Sequence, residues 1–322
     1  MWKSVCAIAA SLLVGLSPAA SQDWPGRTVT MIVPFAAGST PDIAARLVGE
    51  RLQAKLGQPF IIENRPGASG NTGTGAVARA EPDGYTIGVS IVGPLVLNTV
   101  LYSKMPYDPK VDIAPVSVIA AQPSVLVTSR GLGVTSVADL LDVMKKRAGD
   151  LNFGSIGAGS ISQLAIEVIA LKSGARPTHI PFTSSPAVLT ALMRNDVQMA
   201  VLAAATVAQP GEAGDIGLLA VTSPTRSAFF PNLPTLTEAG IPEVESDTWI
   251  GLIAPAKTDP AILSKLEREV RAVLAEPELG AKLKATYMVP VGGSSQEFRK
   301  LLDDEMNRWA PVIKQNGIKI GQ

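Results

Sequence analysis

Apolar and polar positions change period repeatedly along this chain. Residues 28–34 form a β-branched, apolar run. Ile43, Leu47, Leu52 and Leu56 then recur at helical spacing. Ser39 or Thr40 can cap that helix, Pro41 fits its first turn, Asp42 suits the positive end of the macrodipole, and Gly57 closes it. The same alternation predicts strands over 59–63, 85–91, 124–128, 151–155, 178–182, 199–202, 217–221 and 248–254. Helices are predicted after Asn71 to about residue 80, over 136–147 and 162–172, and a further one capped by Ser185 with Pro186 at its first position. Two long helices close the chain, started by Asp259-Pro260 and by the capping box Ser294…Glu297. Alternating strands and helices predict an α/β chain, each lobe a mostly parallel sheet flanked by helices. The apolar stretches 119–128 and 218–223 lack linker composition and read as strands passing between two lobes. This assigns 23–123 and 223–322 to lobe 1, and 124–222 to lobe 2.

Four turns between a strand and a helix are rich in small and hydroxyl residues. The first holds Phe35, Gly38, Ser39 and Thr40; the second Gly67, Ala68, Ser69, Gly70 and Asn71. The third runs from Ser155 to Ser160, with Ser162 just beyond, and the fourth holds Thr183. Ligands of open α/β sheets sit at the carboxyl ends of strands, where such turns lie. Glycines admit close backbone approach, and helix amino ends offer free N–H groups. No Lys occurs in these turns and Arg65 is only adjacent. A cleft between lobes lined this way suits a compact carboxylate better than a polyphosphate.

Composition narrows the chemistry. The 322 residues carry 28 Lys+Arg and 28 Asp+Glu, one His and one Cys. That balance argues against a nucleic-acid partner. Residues 1–22 read as an export signal: Lys3, then an apolar run of about a dozen residues, then Ser17-Pro18-Ala19-Ala20, with cleavage near 19–22. The run is short of the roughly 20 residues that span a bilayer. Cleavage removes Lys3 and Cys6, leaving 27 − 28 = −1 and no thiol. A periplasmic, monomeric protein without cofactor or metal is expected. His179 reads as a structural strand residue, and Asp42 and Asp83 as helix-start and turn residues. Residues 73–78 match G-x-G-x-x-A, but export argues against a dinucleotide.

The chain resembles the periplasmic solute-binding receptors of tripartite tricarboxylate transporters, the Bug family. The resemblance rests on Trp24-Pro25, Ile32-Val33-Pro34-Phe35 with Gly38, and Asp42-Ile43-Ala44-Ala45-Arg46. It continues through Glu63-Asn64-Arg65-Pro66-Gly67-Ala68-Ser69-Gly70-Asn71, Ala80-Glu81-Pro82-Asp83-Gly84-Tyr85-Thr86, Leu219-Ala220-Val221-Thr222-Ser223 and Pro231-Asn232-Leu233-Pro234-Thr235. It implies a two-lobe Venus flytrap, non-enzymatic, that passes a carboxylate to membrane permease subunits. The family's binding turns fall on 35–40 and 67–71 in the first lobe, and on 155–162 and Thr183 in the second. The chain departs from the family in three places. It has Ala37-Gly38-Ser39 where members often carry Gly-Gly, and Ser160-Ile161-Ser162-Gln163 where Ser-Ser-His is common. Residues 201–206 are apolar where many members have Phe-Asp and a polar residue. A less polar wall there favours a ligand with one carboxylate end and an apolar body.

Two other readings remain open on sequence: a ligand sensor for a membrane signalling partner, and a periplasmic hydrolase. The second lacks an evident nucleophile–base pair in the sequence.

Overall fold

The computed structural model describes residues 24–244, 247–315 and 317–319. The expected export segment, with Cys6, lies outside them. Strands are β1 Val29–Val33, β2 Phe60–Asn64, β3 Thr86–Ser90, β4 Ile113–Ser129, β5 Asn152–Ser155, β6 Thr178–Pro181, β7 Met199–Ala203, β8 Ile216–Val221, β9 Asp247–Pro255 and β10 Val289–Gly292. Helices are α1 Thr40–Leu56, α2 Asn71–Ala78, α3 Asn98–Leu101, α4 Pro109–Asp112, α5 Val137–Lys146, α6 Ile161–Ser173, α7 Ser185–Met193, α8 Ala204–Glu212, α9 Pro260–Leu274, α10 Pro277–Ala285 and α11 Ser295–Gln315. The structure thus adds α3, α4, α8 and α10 to the helices the pattern predicts. The capping box holds: Ser294 N donates to Glu297 Oε2, and Glu297 N to Ser294 Oγ.

One strand organises the sheet. β4 is 17 residues long and buried along almost its whole length. Its first part pairs antiparallel with β9, from Ile113↔Pro255 to Pro123↔Asp247, and with β10. From Ser124 onward it pairs with β7 and β8 instead. The sequence expects two separate sheets; the structure joins them through β4 in the order β2-β1-β3-β9-β4-β7-β5-β6. The parallel character expected holds for β1 with β2 and β3, and for β5 with β6 and β7. All pairs made by β4, and that of β3 with β9, are antiparallel. A shared antiparallel strand is the reason the sheet is mixed.

Two prolines inside β4 mark where the ladder breaks. Pro115 precedes a register shift against β9, and Pro123 is the last residue paired with β9. Proline lacks an N–H, so it is tolerated in a sheet where no ladder bond is demanded. Of the two predicted crossings, the first is part of β4. The second is not a crossing strand: β8 stays beside the 125–129 part of β4. Residues beyond β8 remain there as well, with Val221 N donating to Pro234 O and Leu236 N to Val221 O.

One apolar core packs α1, α9 and α10 against β1, β3 and β9, and another packs α7 and α8 against β4, β7 and β8. A third runs from α5 and α6 to α11, through the segment after β3. In this last core Phe298 of α11 lies edge-on to Trp249, ring centroids 5.4 Å apart, and faces Gly251 of β9. A Cβ at Gly251 would lie 2.0 Å from Phe298 Cζ. Phe298 is buried and has nowhere to retreat. Gly251→Ala is therefore expected to destabilise the fold by about 1–3 kcal/mol through overpacking. Urea unfolding checks this; an unchanged midpoint contradicts the packing described.

Candidate functional site

The turn between β1 and α1 is tied down from below. Asp42, in the first turn of α1, is 2% exposed. Its Oδ2 accepts from Gly38 N at 2.9 Å and from Arg46 Nε at 3.0 Å, while Asn64 Nδ2 donates to Oδ1 at 2.8 Å. Asn64 Nδ2 also donates to Phe35 O at 3.0 Å. Burial works to raise the Asp42 carboxyl, but bonds from Arg46, Gly38 and Asn64 outweigh it and hold the group below its usual range. Asp42 is thus more than the helix-start residue the sequence implies. Above it, Ser39 caps α1 with extended backbone and makes no side-chain cap bond. Its Oγ is buried without a protein partner.

The second turn is backbone-strained. Gly67, Ala68, Ser69 and Gly70 all have positive φ, 136°, 46°, 54° and 90°. Ala68 and Ser69 hold a conformation that L side chains rarely adopt. Ser69 reaches the other half of the molecule, its Oγ donating to Ala158 O while Tyr102 OH donates to Ser69 Oγ at 3.3 Å.

In the second half, Ser160 caps α6. Its Oγ donates to Gly157 O at 2.7 Å and lies 2.8 Å from Ser162 Oγ, which accepts from Ile156 N at 3.1 Å. These two hydroxyls therefore spend their protons on the turn and on each other. The cap of α7 is Ser184, whose Oγ accepts from Ala187 N, rather than the expected Ser185.

These turns border one cleft. Of the residues singled out in the sequence, Phe35, Ser39, Thr40, Ser69, Ser160, Ser162 and Thr183 line it. Gly38, Gly67, Ala68, Gly70, Asn71 and Ser155 do not, and each has another task. Gly38 gives its N–H to Asp42. Gly67 N-caps the short turn that carries Ala68. A Cβ on Gly70 would meet Pro94 Cγ at 2.6 Å and Phe35 Cζ at 3.0 Å, so this glycine admits neighbouring side chains. Asn71 Oδ1 accepts from Asn98 Nδ2 at 2.7 Å and Tyr107 OH at 3.1 Å.

Ser155 is fully buried, its Oγ 2.6 Å from His179 Nε2 and 3.0 Å from Gly157 O. The fold thus does bring a serine and the only histidine together, contrary to the expectation that no such pair exists. Burial holds the His179 imidazole below its usual pKa, and it stacks on Phe153 with centroids 4.9 Å apart. Neither residue lines the cleft, which suits a structural hydrogen bond between β5 and β6.

The rest of the lining comes from positions the turn composition did not flag. Ile91, Val92 and Gly93 follow β3; Ser124 and Thr248 face each other where β4 changes partners, Oγ to Oγ1 2.7 Å. Ile91 to Gly93 lie at the carboxyl end of β3 and could have been found by the rule used for the other turns. Val201, Leu202 and Ala203 supply an apolar wall where the sequence places a less polar one. None of the lining side chains bears a charge. Among the described residues there is no group of His, Cys, Asp and Glu fit for a metal, and no helix long and apolar enough to cross a membrane.

Two α/β halves joined at a shared strand, with turn residues of both lining an intervening cleft, define a binding protein of the two-lobed periplasmic type. Residues 44–318 match the profile of the tripartite tricarboxylate transporter family receptor, and the chain belongs to that family. It is 33% identical over 305 residues to Protein BugT of Bordetella pertussis, covering 94% of each chain. An R. palustris protein solved with adipate is 37% identical, with a TM-score of 0.88 over 92% of this chain and 99% of that one. MatC of Rhodopseudomonas palustris, solved with bound malate, is 28% identical, with a TM-score of 0.84 over 90% of this chain and 100% of that one.

Beside Thr248, Asp247 opens β9 opposite Pro123. Burial pushes its carboxyl up to about 6, with nearby Glu305 adding to the rise against a Ser223 hydrogen bond. A carboxyl with a raised folded pKa stabilises the fold below its unfolded pKa, and that stability is lost as pH rises through the folded value. From the ordinary 3.8 to about 6, the Asp247 contribution should fall by on the order of 3 kcal/mol. Asp247→Asn is expected to remove this slope and to be more stable than the wild type at neutral pH. Urea midpoints measured across that window check it; parallel pH profiles for the two proteins contradict it.

Proposed function

We propose that this chain is an extracytoplasmic receptor that captures a small carboxylate between two lobes and delivers it to the permease subunits of a tripartite-type transporter. The observation that carries the ligand class is the cleft lining. Helix amino ends with hydroxyls, Ser39 and Thr40 at α1 and Thr183 to Ser185 at α7, face a space with apolar walls and no charged side chain. Free N–H groups and the positive ends of helices attract a carboxylate without a counter-cation. Adipate and malate in the related R. palustris proteins are carboxylates too. The apolar wall at Val201 to Ala203, together with Ile91, Val92 and Ile156, suits a ligand with an apolar body. The receptor is exported by residues 1–22, and its lobes meet where β4 passes from Pro123 to Ser124. It is not an enzyme: its one Ser–His pair lies outside the cleft lining.

Thr183→Val tests the ligand contact. Thr183 lines the cleft, but the cap of α7 belongs to Ser184, so the variant keeps its helix. A lost hydrogen bond to a charged oxygen is worth roughly 1.5–3 kcal/mol, or about ten- to a hundredfold in affinity. Calorimetry with a panel of adipate, malate and benzoate is expected to show that loss at an unchanged melting temperature. Equal affinity in the two proteins removes Thr183 from the site.

A further inference from the structure

The amino end of α1 carries a conflict. Its first turn holds Asp42, and an acid there competes with any bound anion for the same positive helix end. Asp42 cannot move aside, because its carboxylate is the clamp on Gly38 and is bound by Asn64. Its charge is instead matched by Arg46, one turn further along the same helix face. Arg46 approaches both carboxylate oxygens, Nε to Oδ2 at 3.0 Å and a terminal nitrogen to Oδ1 at 2.9 Å. The order acid then base at this spacing is the favourable one in a helix. A terminal nitrogen of Arg46 also donates to Asn64 Oδ1 at 3.2 Å, which holds the amide that fixes Phe35 O. The Asp42 side chain is 3% exposed, so water screens it poorly; the Arg46 side chain is 51% exposed. Arg46 does not line the cleft.

We propose that Arg46 is the positioning and specificity-setting residue for the anion end of the cleft: by neutralising the buried Asp42 beneath Ser39 and Thr40, it lets the amino end of α1 accept a negatively charged ligand. The inference rests on the carboxylate reading above. It also implies that the uncharged lining depends on a charge balance one layer beneath it. Without Arg46, a buried negative charge about one to two helix turns from the ligand opposes binding. At an effective dielectric of about 20, such a charge weakens anion affinity roughly tenfold or more.

The test uses calorimetric titration of adipate into the full mature protein, with malate and benzoate as further probes. Arg46→Met is expected to weaken binding roughly tenfold, and Arg46→Lys to keep most of it. The double variant Asp42→Asn/Arg46→Met is expected to recover affinity, since neither charge remains. Acidification is expected to restore binding to Arg46→Met but not to change Arg46→Lys in the same way, because Asp42 without its cation takes up a proton more readily. A purely mechanical clamp predicts the reverse ranking, with the double variant at least as weak as Arg46→Met; that result, or unchanged affinity in Arg46→Met, overturns the inference while leaving the receptor reading intact. A wild-type protein that binds none of the three probes overturns the receptor reading and this inference with it.

Discussion

The structure depends on the continuity of β4. A buried strand must have every backbone polar group satisfied, and β4 meets that demand from four strands in succession along its length. β9 and β10 serve its first part, β7 and β8 its last. The two halves of the molecule are joined through this one strand, whose partners change between Pro123 and Ser124. Pro123 stands there, a residue with no N–H to lose, and the Ser124–Thr248 hydroxyl pair lies directly beside it. The cleft is therefore bordered by the position at which β4 exchanges its partners.

On either side of that position the turns follow a common scheme. The residues that line the cleft are few, and most of the small polar residues nearby hold the backbone in place. Asp42 and Asn64 fix the first turn, Asn71 is fixed by Asn98 and Tyr107, and Ser160 with Ser162 closes the third. A second layer of this kind keeps donors in position before any ligand arrives, which lowers the conformational entropy lost on binding.

Much of this was legible in the sequence, and the failures have physical causes. The start of α1, the apolar wall after residue 200 and the family resemblance were all readable, because caps, strand ends and ordered motifs are local signals. Gly70, Asn71 and Ser155 carry the same composition as true lining residues, but composition does not say which way a turn faces. Gly70 turned out to admit Pro94 and Phe35, and Ser155 to face His179. The extent of β4 was hidden by Pro115 and Pro123, which locally resemble strand breakers and are accommodated only because the partners shift there. The cap of α7 fell one residue early because two serines adjoin and only the backbone angles of Ser184 distinguish them. Ser124 and Thr248 are 124 residues apart in the chain, and no local pattern joins them.

The absence of charge from the cleft wall has a consequence for how salt acts on it. Interactions between exposed charges fade as mobile ions accumulate, over about 10 Å at 0.1 M ionic strength and about 3 Å at 1 M. A wall of hydroxyls, backbone dipoles and hydrocarbon acts at contact distance, inside that shell, and gives mobile ions no side-chain charge to occupy. A cleft built from short-range donors is therefore less sensitive to ionic strength than one lined by charged side chains.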